Sequence, residues 1–148
     1  MSILHPSAII LVVDDDRGIR EFTSLLLRRV TGATVLEAAT PDAGLRMARA
    51  HGGIHLLISD IDLKADLDGV QMANQIVATS PATNVILMSG SHAPREGMRP
   101  VWRFLPKPFA IADLMKLVKL QLDVYPMPVA HAAMEGAGLG LALERKAG

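Results

Sequence analysis

The sequence predicts an α/β domain, a doubly wound five-stranded parallel sheet with helices on both faces. Three observations carry that expectation. Apolar runs of strand length alternate five times with segments of helical periodicity. The runs are continuous rather than alternating in polarity, as in strands covered on both faces. Several of them stop at acidic or hydroxyl residues, and open α/β sheets place their chemistry at the carboxyl ends of strands.

The first strand is Ala8 to Val13, a β-branched apolar run that stops at Asp14-Asp15-Asp16. A helix follows, with Asp16 as its N-cap and Ile19, Phe22, Leu26 and Val30 at helical spacing, until Thr31-Gly32 breaks it. Thr34 to Ala38 forms a second, weaker strand. Thr40-Pro41-Asp42 then supplies a capping hydroxyl, a proline at the first helical position and an acidic first turn. That helix runs to about His51 and ends at Gly52-Gly53.

Ile54 to Ser59 is the third strand and delivers Asp60 at its carboxyl end. Val70, Ala73, Ile76 and Val77 mark a third helix that ends before Pro81. Asn84 to Met88 is the fourth strand, closing on Ser89-Gly90-Ser91. Pro94, Gly97 and Pro100 allow at most a short helix over 92–100. Val101 to Leu105 makes the fifth strand, broken by Pro106-Lys107-Pro108. Ile111, Leu114, Leu117, Val118 and Leu122 line a last amphipathic helix. The expected domain is residues 1–125. Residues 126–148 read as a flexible tail, with a weaker helical pattern over Leu139 to Arg145.

The bulk composition narrows the function. The 148 residues suffice for one domain with a proper core. A formal net charge of +0 gives no general pull toward nucleic acid. The absence of cysteine excludes disulfides and thiolate metal sites. No apolar run reaches the roughly 18 residues of a membrane helix, so the expected location is cytoplasmic. The five histidines show no metal-ligand spacing.

Asp14 and Asp15 end the first strand, Asp60 the third and Ser89 the fourth, while Lys107 lies just past the fifth. In a parallel sheet these ends share one edge. Three ionised carboxylates there repel one another and call for a cation. Mg²⁺, a hard ion that takes carboxylate, water and phosphate oxygens, suits them. A carboxylate beside such an ion, a lysine and a hydroxyl is equipped to accept a phosphoryl group.

Val12-Val13-Asp14-Asp15, then Asp60 after an apolar strand, then Ser89-Gly90, then Lys107-Pro108-Phe109 resembles the receiver domain of two-component response regulators, over residues 8 to about 123. The resemblance implies a CheY-like (flavodoxin-like) sheet of strand order 2-1-3-4-5 and phosphorylation of Asp60 by a histidine kinase or phosphotransfer protein. It implies Mg²⁺ held directly by Asp15, Asp60 and the backbone carbonyl of Asp62, with Asp14 acting largely through water. Ser89 and Lys107 would hold the phosphoryl oxygens, and Phe104 occupies the aromatic switch position. Output would pass to a downstream protein. The 23 residues after Tyr125 carry no helix-turn-helix pattern, so no direct DNA binding is expected.

The sequence departs from the family pattern in four places. The loop from Asp60 to Gly69 is about one residue longer than usual, Lys64 replaces a proline, and Ser89 replaces a threonine. The stretch from Ser89 to Lys107 is shorter by about one helical turn. That shortening bears on the family's fourth helix and its usual partner face, where a homodimer would form.

Two other readings compete. Asp60-Ile61-Asp62-Leu63 resembles the opening motif of haloacid-dehalogenase-type phosphatases, a nucleophilic Asp followed two residues on by a general acid. There, however, the motif lies on the first core strand, ahead of the acidic metal pair. A receiver-like module acting only in protein interaction is the other alternative, and the complete set of acid, hydroxyl and lysine argues against it.

Overall fold

The computed structural model describes residues 4–91 and 95–123, so the expectations for the 126–148 tail and for residues 139–145 lie outside the described residues. The elements in chain order are β1 (Ile9–Val13), α1 (Arg17–Thr31), β2 (Thr34–Ala38), α2 (Pro41–Ala50), β3 (Leu56–Asp60), α3 (Gly69–Thr79), β4 (Asn84–Ser89), β5 (Arg103–Pro106) and α4 (Ile111–Asp123). The strands form one parallel sheet in the order β2-β1-β3-β4-β5. This is the strand order that the sequence resemblance implies.

Alternation along the strands divides the core in two. Leu11, Val13, Leu57 and Leu87 face α2 and α3 with Leu45, Met72, Ala73 and Ile76. Ile10, Val12, Ile58 and Ile86 face α1 and α4 with Leu27, Leu114, Val118 and Leu122. Every residue of β3 is buried, which is why this strand reads as an unbroken apolar run up to its terminal acid.

The helix caps follow the sequence. Asp16 accepts from the Ile19 N–H at 2.9 Å, Thr40 from the Ala43 N–H at 3.2 Å, and Asp68 closes a capping box with Gln71. Gly32 ends α1 in the left-handed region at φ 69°.

Several local boundaries and faces differ from the expectation. The buried face of α1 is Thr23, Ser24, Leu27 and Thr31, one residue on from the expected stripe. Ile19 is 36% exposed and Phe22 54% exposed. The polar side chain of Thr31 enters the core because its hydroxyl donates to Leu27 O at 2.7 Å and accepts from the Ala33 N–H at 3.0 Å. Strand β5 starts at Arg103 rather than Val101, because a turn closed by the Trp102 N–H on Arg99 O occupies the preceding residues. Between β4 and β5 the described residues form turns, with no helix among them.

Strand β3 starts at Leu56, although His55 already bonds both neighbours: its N–H donates to Ile9 O and its carbonyl accepts from the Asn84 N–H. Lys64 has φ 52°, a conformation closed to the proline usual at that place, whose ring fixes φ near −65°.

Candidate functional site

Parallel pairing brings the strand ends level. Val13 sits opposite Ser59, Asp60 opposite Met88, and Ser89 opposite Pro106. The side chains that follow these positions therefore meet on one edge of the sheet. The nearest available oxygens of Asp14, Asp15 and Asp60 all lie within 4.8 Å of one another. Asp16, the third acid of the run, is turned away into its capping role.

Asp14 is fully buried, and its Oδ1 accepts from the Asp16 N–H at 2.9 Å. Lys107 reaches over the edge, with Nζ 3.3 Å from Asp14 Oδ2 and 3.6 Å from Asp60 Oδ2. Its backbone is fixed by its own N–H donating to Ser89 O at 2.7 Å. One ammonium thus lies against two of the three clustered carboxylates, an arrangement that favours a divalent cation. The all-oxygen donor set fits Mg²⁺.

Asp60 is 7% exposed, and burial pushes its carboxyl above the ordinary aspartate range. Lys107 opposes that shift, and Asp14 adds to it. A carboxyl whose pKa is higher folded than unfolded binds its proton more tightly in the folded state. Its ionised form therefore costs stability above the folded pKa, and the cost fades as pH falls through the unfolded value near 3.9. Asp60→Asn is expected to raise Tm at pH 7 in EDTA by a few degrees, at about 2–4 °C per kcal/mol for a chain near this size. The gain should shrink toward pH 4. A fall in Tm in the EDTA melts would contradict this electrostatic account.

The expected site residues occupy three kinds of place. Asp14, Asp15, Asp60 and Lys107 come together as anticipated. Ser89 is fully buried, and its hydroxyl donates to Asp62 Oδ2 at 3.2 Å and accepts from the Ser91 N–H at 3.1 Å. Phe104 is partly buried and packs against the core on the α2/α3 side. The Asp62 N–H approaches Asp60 Oδ1 at 3.4 Å, so the backbone of the loop folds back toward the end of β3.

The Asp62 side chain, 51% exposed, accepts from Arg95 Nη2 on its Oδ1 at 2.6 Å. The Arg95 guanidinium, helped by Ser89, holds the Asp62 carboxyl below the usual range. An acid held ionised in this way has no proton to give, which argues against a phosphatase with Asp62 as general acid. Arg95 itself carries no signal in the sequence, since a lone arginine between prolines has no pattern.

Beside Lys107 lies an open apolar groove of about 540 Å³, lined by Ile19, Phe22, Pro108, Phe109 and Ile111. Its floor comes from the side of α1 that the hydrophobic spacing had assigned to the core.

Comparison with known proteins places this geometry. The family model of the response regulator receiver domain matches residues 10–119. The DNA-binding transcriptional regulator NtrC of Azospirillum brasilense is 31% identical over 134 residues, 88% of this chain and 27% of that protein. The sensor kinase CckA of Brucella abortus (strain 2308) is 29% identical over 125 residues, 81% of this chain and 13% of that protein. The chain thus spans about a quarter or less of these relatives. Among solved structures, the receiver domain of the hybrid histidine kinase CckA is 35% identical with a TM-score of 0.66, covering 77% of this chain and 98% of that one. The BeF3-activated DrrB receiver domain is 26% identical with a TM-score of 0.66, covering 79% and 98%. An acid cluster at the strand ends, a lysine beyond the last strand and this strand order therefore have one family in common, and the chain belongs to it: the response regulator receiver domains of two-component systems.

Proposed function

We propose that the protein accepts a phosphoryl group on Asp60 from a histidine kinase or phosphotransfer protein, and signals through a downstream protein partner. The observation that carries this reading is the convergence of Asp14, Asp15 and Asp60 with the Lys107 ammonium at one edge of the sheet. An Asp60 carboxylate oxygen attacks phosphorus, the P–N bond of the phosphohistidine breaks, and its electron pair returns to the imidazole. The product is an acyl phosphate. Lys107, already 3.6 Å from Asp60, offsets negative charge on the phosphoryl oxygens. Mg²⁺ would be held by Asp15, Asp60 and the Asp62 backbone carbonyl, with Asp14 acting through water, and would supply further charge neutralisation.

Ser89 then turns its hydroxyl toward the phosphoryl group and Phe104 follows, a population shift driven by new local charge. The groove beside Lys107 supports a protein phosphodonor. A phosphohistidine reaching Asp60 must cross this edge, and Ile19, Phe22 and Phe109 give its carrier an apolar surface there. No described helix is long and apolar enough to cross a membrane.

The test is intact mass after incubation with Mg²⁺ and acetyl phosphate. The wild type should gain one hydroxylamine-labile phosphoryl increment, which EDTA prevents and Asp60→Asn abolishes. An unmodified wild type across several donors would favour a receiver that acts by interaction alone. Rapid release of free phosphate from the donor would favour hydrolysis.

A further inference from the structure

The Asp62 carboxylate is shared between two groups that bear on the phosphorylation site. Its Oδ2 takes the Ser89 hydroxyl proton at 3.2 Å and its Oδ1 takes Arg95 Nη2 at 2.6 Å. Ser89 has one proton to donate, so it cannot serve Asp62 and a phosphoryl group on Asp60 together. The Asp62 N–H approaches Asp60 Oδ1 at 3.4 Å, so a phosphoryl group on Asp60 would arrive beside this pair.

Arg95 opens the described residues 95–102, which form turns ahead of β5. The rest of that stretch is tied to α3. Asn74 Nδ2 donates to Gly97 O at 3.1 Å, and Arg99 Nε donates to Asn74 Oδ1 at 2.9 Å. The Arg99 guanidinium lies 5.8 Å from the centre of the Trp102 ring, which is itself 6% exposed in the core. Arg95 joins this stretch through its carbonyl, which accepts from the Met98 N–H at 3.3 Å, so a backbone shift at Arg95 has a short route to Trp102.

We propose that Arg95 is a positioning residue for the phosphorylated state: paired with Asp62 at rest, it transfers to the phosphoryl oxygens of Asp60, frees Ser89 and shifts residues 95–102. The inference rests on Asp60 being the phosphoacceptor. Its physical basis is a competition. The Arg95–Asp62 pair is half open to solvent, with the side chains 39% and 51% exposed, and such pairs are weakly held. A phosphoryl group brings about two negative charges and three acceptor oxygens, which a guanidinium meets with paired donors.

Trp102 is the protein's single tryptophan and reports the movement directly. The experiment follows Trp102 emission during reaction of the full chain with acetyl phosphate and Mg²⁺, normalised to the phosphorylated fraction by intact mass. The wild type should change emission on phosphorylation. Arg95→Gln should keep less than half of that change per phosphorylated chain, and Arg95→Lys should recover more of it than Arg95→Gln does. A wild type that is phosphorylated without an emission change overturns the inference and leaves the acceptor reading intact. So does an Arg95→Gln signal at half or more of wild type, or a lysine variant no better than glutamine. A wild type that takes no phosphoryl group removes the acceptor reading and this inference together.

Discussion

Gly69→Ala is expected to destabilise the protein by about 3 kcal/mol, at the upper end of what overpacking a tight contact costs. A Cβ at Gly69 would lie 2.3 Å from Asp60 O, 2.9 Å from Ile61 Cα and 3.1 Å from the Asp60 carbonyl carbon. All three are backbone atoms, so no side chain can swing aside. The backbone is held from both directions. The Gly69 N–H donates to Ile61 O at 2.8 Å, the Ile61 N–H donates to Met88 O at 2.8 Å, and Asp60 pairs with Met88 in the sheet. Relief requires moving either the start of α3 or the end of β3, and the second displaces Asp60. Urea unfolding measures the loss as a lower midpoint with an unchanged slope. Gly18→Ala is the control, because its Cβ would meet only Asp16 Oδ1 at 3.4 Å, and it should leave the midpoint close to wild type. Equal midpoints for Gly69→Ala and wild type would show that the contact yields.

Lys107→Ala is expected to cost about 2 kcal/mol without metal. Removing one partner of a fully buried pair costs roughly 3–5 kcal/mol, and that figure is reduced here because the Lys107 side chain is 21% exposed and partly screened. The loss arises mainly from Asp14, which is buried and would be left beside Asp15 and Asp60 with no ammonium nearby. Mg²⁺ should restore a large part of the stability by supplying the missing positive charge. Thermal melts with EDTA and with Mg²⁺ separate the two contributions. A variant as stable as wild type in EDTA would mean that Lys107 does not neutralise the cluster. On the phosphoacceptor reading, the variant can still be phosphorylated by acetyl phosphate but responds weakly, and equal partner binding by phosphorylated mutant and wild type would contradict that role.

The sheet and the acid cluster were legible because they rest on short-range signals. A strand buried on both faces must be apolar throughout, so its end is marked by the first charge, and Asp14 and Asp60 stand at such ends. Cap residues are equally local, as Asp16 and Thr40 show. The orientation of α1 was not legible for the opposite reason. Its larger apolar residues, Ile19 and Phe22, border the groove, while Thr23, Ser24 and Thr31 enter the core, so hydrophobicity alone selects the wrong stripe. The Arg95–Asp62 contact spans 33 residues and depends on where a turn leaves a long side chain. No periodicity encodes that.

Strand β3 lies in the middle of the sheet, covered on both faces and bonded on both edges. Its amides belong with those that exchange with solvent deuterium only when the whole domain opens. Asp62 and Arg95, by contrast, have side chains 51% and 39% open to solvent. The Asp60 carboxylate is therefore mounted on a strand that opens only with the whole domain, and the Asp62–Arg95 pair on more exposed parts. On the phosphoacceptor reading, a fixed anvil with movable jaws would let a charge added at Asp60 be felt as motion elsewhere, without Asp60 itself giving way.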